Sequence, residues 1–336
     1  MDKQVERDLR ELFTISTRTP LEEMAWGCER TRIQPGRMGY RTRTVKAGAM
    51  LEIDCYPLLG RAMEQEARQH LRNRTPLEIQ RANDRRAERR LVQLINANFG
   101  RGDYHITLTY HGSAPDYATC KHDVQLYLAR VNRARARIGL PKAGYVYAVE
   151  DVQDGREVRT HAHLIVHGGL PREELERIWG KGYANTYALE PSERGLEGMA
   201  KYLIKAQRGR KKWIPSKGLK KPRERVSDVR LSNARVRQIA MDAENMARAV
   251  LERAYPGHLL VDCRVRWSDR VNGCYISALM RDTRRESHGA KGRAGAVQGR
   301  GAGDARHQAA AGQADAVRGA ARRGESTYHR HAAGHQ

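Results

Sequence analysis

The chain has 336 residues and a formal net charge of +23 at pH 7, because it contains 62 Lys and Arg residues but only 39 Asp and Glu residues. A surplus of this size attracts polyanions and favours nucleic acid as a partner. The five cysteines are scattered and form no Cys-x-x-Cys pair, which argues against a disulfide framework and indicates a cytoplasmic protein. No apolar run approaches membrane-spanning length and the N-terminus lacks a signal-peptide core, so we expect no membrane partner.

Residues 1–95 predict a mainly helical N-terminal region. The clearest helix follows Thr75, because Thr75 and Glu78 have the spacing of a capping box and Pro76 suits the first helical position. Residues 41–55 differ from this pattern and alternate as a β-strand would. The arginines of the helix are expected on a solvated face or, in the sharper alternative, on a DNA backbone. They are Arg81, Arg85, Arg86, Arg89 and Arg90.

Residues 96–285 predict a second region in which strands joined by hairpins are combined with helices. Such a combination is typical of an α+β fold with an antiparallel sheet of ferredoxin-like type, flanked by helices. The predicted elements are a strand over 103–109, a helix over 116–138, strands over 145–150 and 158–166, a helix over 171–179, an extended piece over 183–189 and a helix that ends near residue 205.

The C-terminal part of the chain predicts a helix, a hairpin and a tail. The helix covers residues 227–254, and the hairpin joins 259–267 to 275–280 through Asn272 and Gly273. Residues 286–336 contain no Leu, Ile, Met, Phe or Trp. A Gly, Ala and Arg-rich segment of this kind cannot bury a core, so we expect a disordered basic tail.

The predicted strand over 158–166 carries two histidines on one face. His161, His163 and Ile165 alternate with Ala162 and the other apolar residues, so both imidazoles point to the same side of the sheet. Their Cα atoms are roughly 7 Å apart, close enough for the two side chains to bind one metal ion. The alternative is a pair of polar residues on a half-exposed strand.

A carboxylate can join the two histidines across the hairpin. If the turn centres on residues 155–156, Glu150 lies opposite His161 and shares its face. Two imidazoles and one carboxylate suit Mn²⁺ or Mg²⁺ and leave positions open for a phosphate oxygen. Asp151 and Glu157 replace Glu150 if the register shifts by one residue, and a salt bridge on a basic sheet is the alternative role for Glu150.

The last helix of this series carries a tyrosine at the border of its apolar stripe. Leu196, Ala200 and Leu203 belong to the buried stripe, whereas Tyr202 falls about 120° from its centre and Lys205 lies opposite it. At such a position a phenol ring is supported while its hydroxyl stays free, although packing alone also explains a border tyrosine.

A dense run of basic residues follows this helix. It contains Lys211, Lys212, Lys217, Lys220 and Lys221, with Trp213 inside the run. An aromatic side chain among cations is typical of a groove for single-stranded nucleic acid, where bases stack on the ring. We expect these residues to contact DNA, although a solvated surface is the simpler alternative.

The strand Ile106–Thr109, the sequence His161-Ala162-His163 and the helix with Tyr202 and Lys205 resemble the three motifs of HUH endonucleases. The order, with the tyrosine after the histidines, is similar to replication initiator (Rep) proteins of bacterial phages and plasmids. The resemblance covers roughly residues 95–285. The turn before His161 is longer than usual, and a single tyrosine occupies the helix.

This resemblance implies an enzyme that nicks and joins single-stranded DNA at a specific site and so initiates rolling-circle replication. His161, His163 and Glu150 would hold the divalent cation, and Tyr202 would form a 5′-phosphotyrosine while Lys205 contacts a phosphate. The implied partners are single-stranded or origin DNA, a host helicase and the replication machinery. The group that performs the closing step stays open between a second subunit, water, Tyr183 and Tyr187.

Two other functions remain open at this stage. One is a transposase of the same chemistry, which the extra terminal regions of this chain do not favour. The other is a basic module that binds nucleic acid on a similar sheet without chemistry. The formation of a covalent adduct with DNA separates the enzymes from the binding module.

Overall fold

The computed structural model describes residues 39–58, 65, 69, 72–153, 156–204, 213–268 and 273–285. The described part of the chain forms an α+β fold with ten strands and six α-helices. The strands are β1 (Tyr40–Ala47), β2 (Met50–Pro57), β3 (Tyr104–Leu108), β4 (Tyr145–Gln153), β5 (Arg156–Val166), β6 (Ala184–Ala188), β7 (Ile214–Pro215), β8 (Arg223–Ser227), β9 (His258–Ser268) and β10 (Gly273–Asp282). The helices are α1 (Pro76–Asn98), α2 (Tyr117–Arg137), α3 (Arg172–Trp179), α4 (Glu197–Ile204), α5 (Asn233–Met241) and α6 (Ala243–Ala254).

The strands form two antiparallel sheets of five strands each. The first sheet has the order β8-β1-β2-β10-β9, and the second has the order β6-β3-β5-β4-β7. The expected α+β class with antiparallel pairing is therefore confirmed. Among the described residues, no helix combines the length and the apolar character that crossing a membrane requires.

The first sheet joins the two ends of the described chain. Strands β1 and β2 form a hairpin around Gly48, whose φ of 62° suits glycine, and β2 pairs with β10 of the C-terminal hairpin. Residues 40–57 are therefore extended, and the region predicted as mainly helical shares a sheet with the closing hairpin. The physical reason is that their alternating apolar side chains bury one face together with α5 and α6. Residues 1–38 and the predicted tail, 286–336, lie outside the described residues.

The second sheet is built from consecutive elements of the chain. The order along the chain is β3, α2, β4, β5, α3 and β6, and short strand β7 adds to the far edge beside β4. Helices α2 and α3 cover one face of this sheet, where Val124, Leu164 and Trp179 belong to one buried cluster. The opposite face carries β5 residues His161 and His163, and it is partly covered by α1 and α4.

Helix α1 contacts both sheets. It begins with the expected capping box, in which the Thr75 hydroxyl accepts from the Glu78 backbone N–H and the Glu78 carboxylate accepts from the Thr75 backbone N–H. Leu91 and Ile95 are buried in a cluster with the second sheet and α4. Helix α1 therefore packs on the second sheet with its apolar side chains.

The other side of α1 binds carboxylates of the first sheet. The Arg89 guanidinium donates to Glu52 and to Asp54, both at 2.7 Å, and Asp54 is only 1% exposed. These two carboxylates raise the pKa of Arg89 above its ordinary value, against the effect of burial. Both sequence-based readings of this arginine, solvated face and DNA contact, are therefore wrong, because tertiary folding gives it an internal partner.

Candidate metal centre and active site

The β4–β5 hairpin places Glu150 directly opposite His161. The predicted pairing is confirmed, but the strand pairing between it and the turn is irregular. The pair nearest the turn is Gln153 with Arg156, and a regular ladder continued from it would put Glu150 opposite Arg159. Instead, three residues of β5 (158–160) lie opposite the single Asp151, and this irregularity restores the pairing that aligns the carboxylate with the imidazoles.

Glu150, His161 and His163 form a compact cluster. One ligand atom from each residue lies within 4.8 Å of the others. The two Nε2 atoms are 3.1 Å apart, and the Glu150 Oε2 atom is 3.4 Å from that of His161 and 3.5 Å from that of His163. The structure thus brings together the three predicted ligands, whereas Asp151 and Glu157 are not part of the group.

Hydrogen bonds at the far sides of the rings orient both histidines. The Nδ1 atom of His161 is 2.8 Å from the carbonyl oxygen of Arg159, which can only accept, so this nitrogen donates. The Nδ1 atom of His163 lies 3.1 Å from the Thr107 hydroxyl oxygen, which can accept from it in the same way. With the proton on Nδ1, each Nε2 presents a lone pair towards Glu150.

Burial keeps His163 neutral. This side chain is almost fully enclosed, and burial lowers its pKa to about 3, with smaller contributions in the same direction from His161 and His105. A neutral imidazole can serve as a ligand, whereas a protonated one cannot. His163 is therefore available as a nitrogen ligand near neutral pH.

The donor set and its spacing fit one divalent cation. Neighbouring ligands on an octahedral ion with bonds of about 2.1 Å are about 3 Å apart, close to the 3.1 to 3.5 Å measured here. Three lone-pair atoms so close together repel each other unless a positive charge lies between them. Nitrogen and oxygen ligands on one face of the ion also leave open positions for a further oxygen.

Tyr202 of α4 lies beside this cluster. Its ring centroid is 4.9 Å from that of His163, in an edge contact, and the residue is 49% exposed. Leu203 and Ala200 of the same helix are buried in the core, so the helix is held firmly while the phenol reaches solvent. Tyr202 thus lies at the expected border of the buried stripe of α4, and its ring contacts an imidazole of the cluster.

His105 is a site residue that sequence reasoning did not select. It lies on β3, and its ring stacks on His163 at 5.6 Å and meets the Tyr202 ring edge at 5.6 Å. Burial lowers its pKa to about 4, and its Nε2 atom is buried without a hydrogen-bond partner among the described residues. The sequence signal for His105 was its position two residues before Thr107, which puts both side chains on one face of β3. The β3–β5 pairing places them opposite Ile165 and His163.

Exposed tyrosines extend the same face along the edge strand. Tyr187 pairs with His105 in the β3–β6 ladder, and strand alternation places Tyr183 and Asn185 on the same side. Tyr183 is 65% exposed and Tyr187 is 56% exposed. Because β6 is an edge strand, this row is accessible from solvent beside the metal cluster.

The basic run after α4 is only partly within the described residues, and its members have different surroundings. Trp213 is half-buried and packs against the apolar cluster that includes α1 and α4. Lys217, Lys220 and Lys221 are exposed, and Asn98 bonds the backbone of Lys220 through both its amide nitrogen and its amide oxygen. The predicted residues Lys205, Lys211 and Lys212 lie outside the described residues.

Comparisons with known proteins add no relative to these observations. No family model matches the chain, and neither the curated proteins nor the solved structures compared with it contain a match.

Proposed function

We propose that this protein is a metal-dependent DNA endonuclease and strand transferase with a tyrosine nucleophile. The observation that carries the proposal is the convergence of two imidazoles and a carboxylate beside a half-exposed phenol. A site of this composition can neutralise a phosphodiester and present a nucleophile to it. The surplus of positive charge on the chain supports a polyanionic substrate.

In the proposed reaction, His161, His163 and Glu150 hold Mn²⁺ or Mg²⁺, which when bound polarises the scissile phosphate. As the Tyr202 oxygen bonds to phosphorus, the bond from phosphorus to the 3′ oxygen breaks. The phenol proton passes to solvent, and the departing 3′ oxygen takes up a proton from solvent, so the step is balanced. The products are a 5′-phosphotyrosine and a free 3′-hydroxyl. The covalent intermediate conserves the phosphodiester energy, so rejoining needs no other energy source.

The neighbours of Tyr202 account for the positioning that this reaction needs. His163 and His105 contact its ring from two directions, which restricts the phenol to the side of the cluster. Thr107 and the Arg159 carbonyl keep the imidazole lone pairs directed at the cation. Lys205, one residue beyond the described part of α4, is proposed to contact a substrate phosphate.

The topology of the second sheet supports the finer fold assignment. The element order β-α-β-β-α-β, with the strand order β6-β3-β5-β4, is the arrangement of a ferredoxin-like fold. In this proposal the cluster occupies the central strand of that fold, and the exposed row of Tyr183 and Tyr187 offers ring faces for unpaired bases. Single-stranded DNA is therefore the proposed substrate, and the start of rolling-circle replication, with a host helicase, is the proposed role.

The test is a labelled single-stranded oligonucleotide from the origin of the protein's own element, incubated with Mn²⁺ and analysed on a denaturing gel. The wild-type protein should leave a protein–DNA adduct, and Tyr202→Phe should abolish it while DNA binding persists. Tyr187→Phe and Tyr183→Phe are matched controls that should still form the adduct. An adduct of undiminished yield in Tyr202→Phe would move the nucleophile elsewhere.

The second candidate is a module that binds nucleic acid without cutting it, which the exposed tyrosines of the second sheet also favour. The same gel decides between the two. Binding without an adduct under every divalent metal tested supports the module, whereas an adduct that mass spectrometry maps to Tyr202 supports the enzyme.

A further inference from the structure

A basic groove runs along the outer edge of the first sheet. It consists of two adjoining cavities of about 670 and 530 Å³, which share Thr44, Arg225, Arg230 and Tyr255 as lining residues. No Asp or Glu is among the residues that line either cavity in the described part of the chain. The groove is separate from the metal cluster, which belongs to the second sheet.

Exposed cations line the whole length of the basic groove. Lys220, Lys221 and Arg223 line the larger cavity, and the smaller one is lined by Arg235 and Arg253. All five are exposed. Arg225 and Arg230 line both cavities, so positive charge continues from one end to the other.

Strand alternation explains why the acidic residue nearest to these cations does not neutralise them. Glu224 stands between Arg223 and Arg225 on β8, so its side chain points to the opposite face of the sheet. There it accepts a hydrogen bond from one terminal nitrogen of Arg43, a buried residue of β1, and pairs with its charge. Lys46 differs from the other groove lysines in that, among the described residues, it has a close carboxylate, Asp282 at 2.8 Å.

The basic groove has phosphate-binding groups but no surface for unpaired bases. Tyr255 is the only aromatic ring apart from His258 among the described lining residues, and it is 8% exposed, with the Arg230 guanidinium 5.3 Å above it. Recognition of single strands uses exposed rings on which bases stack. Recognition of a duplex backbone needs only cations and hydrogen-bond donors along a surface.

We infer that the basic groove binds the phosphate backbone of double-stranded DNA, while single-stranded DNA occupies the face of the second sheet. The choice of DNA over other polyanions rests on the proposed function. The backbone of Lys220, bound to Asn98 at the end of α1, ties the groove to the helix that also packs on the second sheet. The arrangement lets the protein hold duplex with one sheet and process an unpaired strand with the other.

The test measures the binding of a fluorescent 20-base-pair DNA duplex by anisotropy, in EDTA and over a series of salt concentrations. The groove variant is Arg225→Gln with Arg235→Gln. The matched control is Arg130→Gln with Arg133→Gln, which removes the same charge from exposed positions of α2. Adduct formation on a single strand is measured in parallel.

The groove variant should bind the duplex at least about tenfold more weakly, with a salt slope about two units shallower, because two phosphate contacts are lost. The control variant should change affinity less than about threefold, and both variants should form the single-strand adduct at the wild-type rate. Equal losses in both variants, or tighter groove-dependent binding of an RNA duplex, would overturn the inference. A wild-type protein that forms no adduct but shows groove-dependent duplex binding would instead refute only the proposed reaction.

Discussion

The two sheets have the same number of strands and the same antiparallel pairing, but they present opposite chemistry. The edge of the first sheet displays exposed guanidinium and ammonium groups with no carboxylate among the described lining residues. The site face of the second sheet displays imidazoles, phenols and one carboxylate. Positive side chains attract a polyanion at any place on a surface, whereas a metal cluster requires donors that are neutral or negative and fixed in position.

Burial is the physical cause of this difference. On the second sheet burial keeps His163 and His105 uncharged. His163 can then act as a metal ligand, and the His105 ring packs against it. The nearby Arg159 has its guanidinium bonded to the carbonyl oxygens of Tyr110 and Gly112. On the first sheet the groove cations are exposed and keep their hydration until a ligand replaces it. Net charge thus indicates the kind of partner that the protein binds, but it does not indicate where on the protein a reaction takes place.

The largest effect is expected from removing a ligand on the second sheet. His163→Ala should lower adduct formation at least about a thousandfold, because the metal contributes several kcal/mol to transition-state stabilisation. His122→Ala, at an exposed position of α2, is the matched control and should act as wild type. Nicking by the variant that persists in EDTA would contradict the metal cluster.

The next effect concerns stability and the first sheet. Arg89→Ala leaves the buried carboxylate of Asp54 with less compensation, so the free energy of unfolding should fall by about 3 kcal/mol. Arg90→Ala, an exposed neighbour on α1, should change it by less than about 0.5 kcal/mol. Denaturant unfolding measures both values. Equal effects would mean that the ion pairs between α1 and the first sheet carry no net stabilisation.

Acidification should lower the free energy of unfolding of the metal-free protein, and His105 of the second sheet should contribute to this loss. The pKa of His105 is about 4 in the folded state and about 6.5 when unfolded, so the unfolded chain binds the proton first as the pH falls below about 6.5. Between pH 7 and pH 5 this histidine should therefore cost about 2 kcal/mol of unfolding free energy. His105→Phe should remove that share of the pH dependence in EDTA-treated protein. An unchanged slope would show that His105 is solvated.

The smallest effect is expected from removing a hydroxyl group that contacts one of the proposed metal ligands. Thr107→Val removes the hydroxyl that lies 3.1 Å from His163 Nδ1 and orients this ligand, and should weaken Mn²⁺ binding at least about tenfold. Thr107→Ser retains the hydroxyl and should bind Mn²⁺ as wild type. Calorimetric titration measures the affinity. If the serine variant loses as much affinity as the valine variant, the contribution of Thr107 is packing and not the hydrogen bond.

Local patterns predicted much of the second sheet and of its site. The period-two strands, the capping box at Thr75 and the border position of Tyr202 depend on residues close in the chain, and each matches the structure. The pairing of Glu150 with His161 was also predictable, because a hairpin connects the two strands. The irregularity opposite Asp151 was not, because it depends on how β5 packs against its neighbours.

Local patterns could not predict the contacts between residues that are distant in the chain. The pairing of β2 with β10, the ion pairs of Arg89 and the contact of His105 with His163 and Tyr202 all join separate segments. The positive charge, the strand and helix periodicities and the candidate ligands could be predicted from the sequence, since they follow from residue type and spacing. Which side chains meet and which become buried follows from the tertiary structure, because burial and pairing depend on elements that the fold brings together from distant parts of the chain.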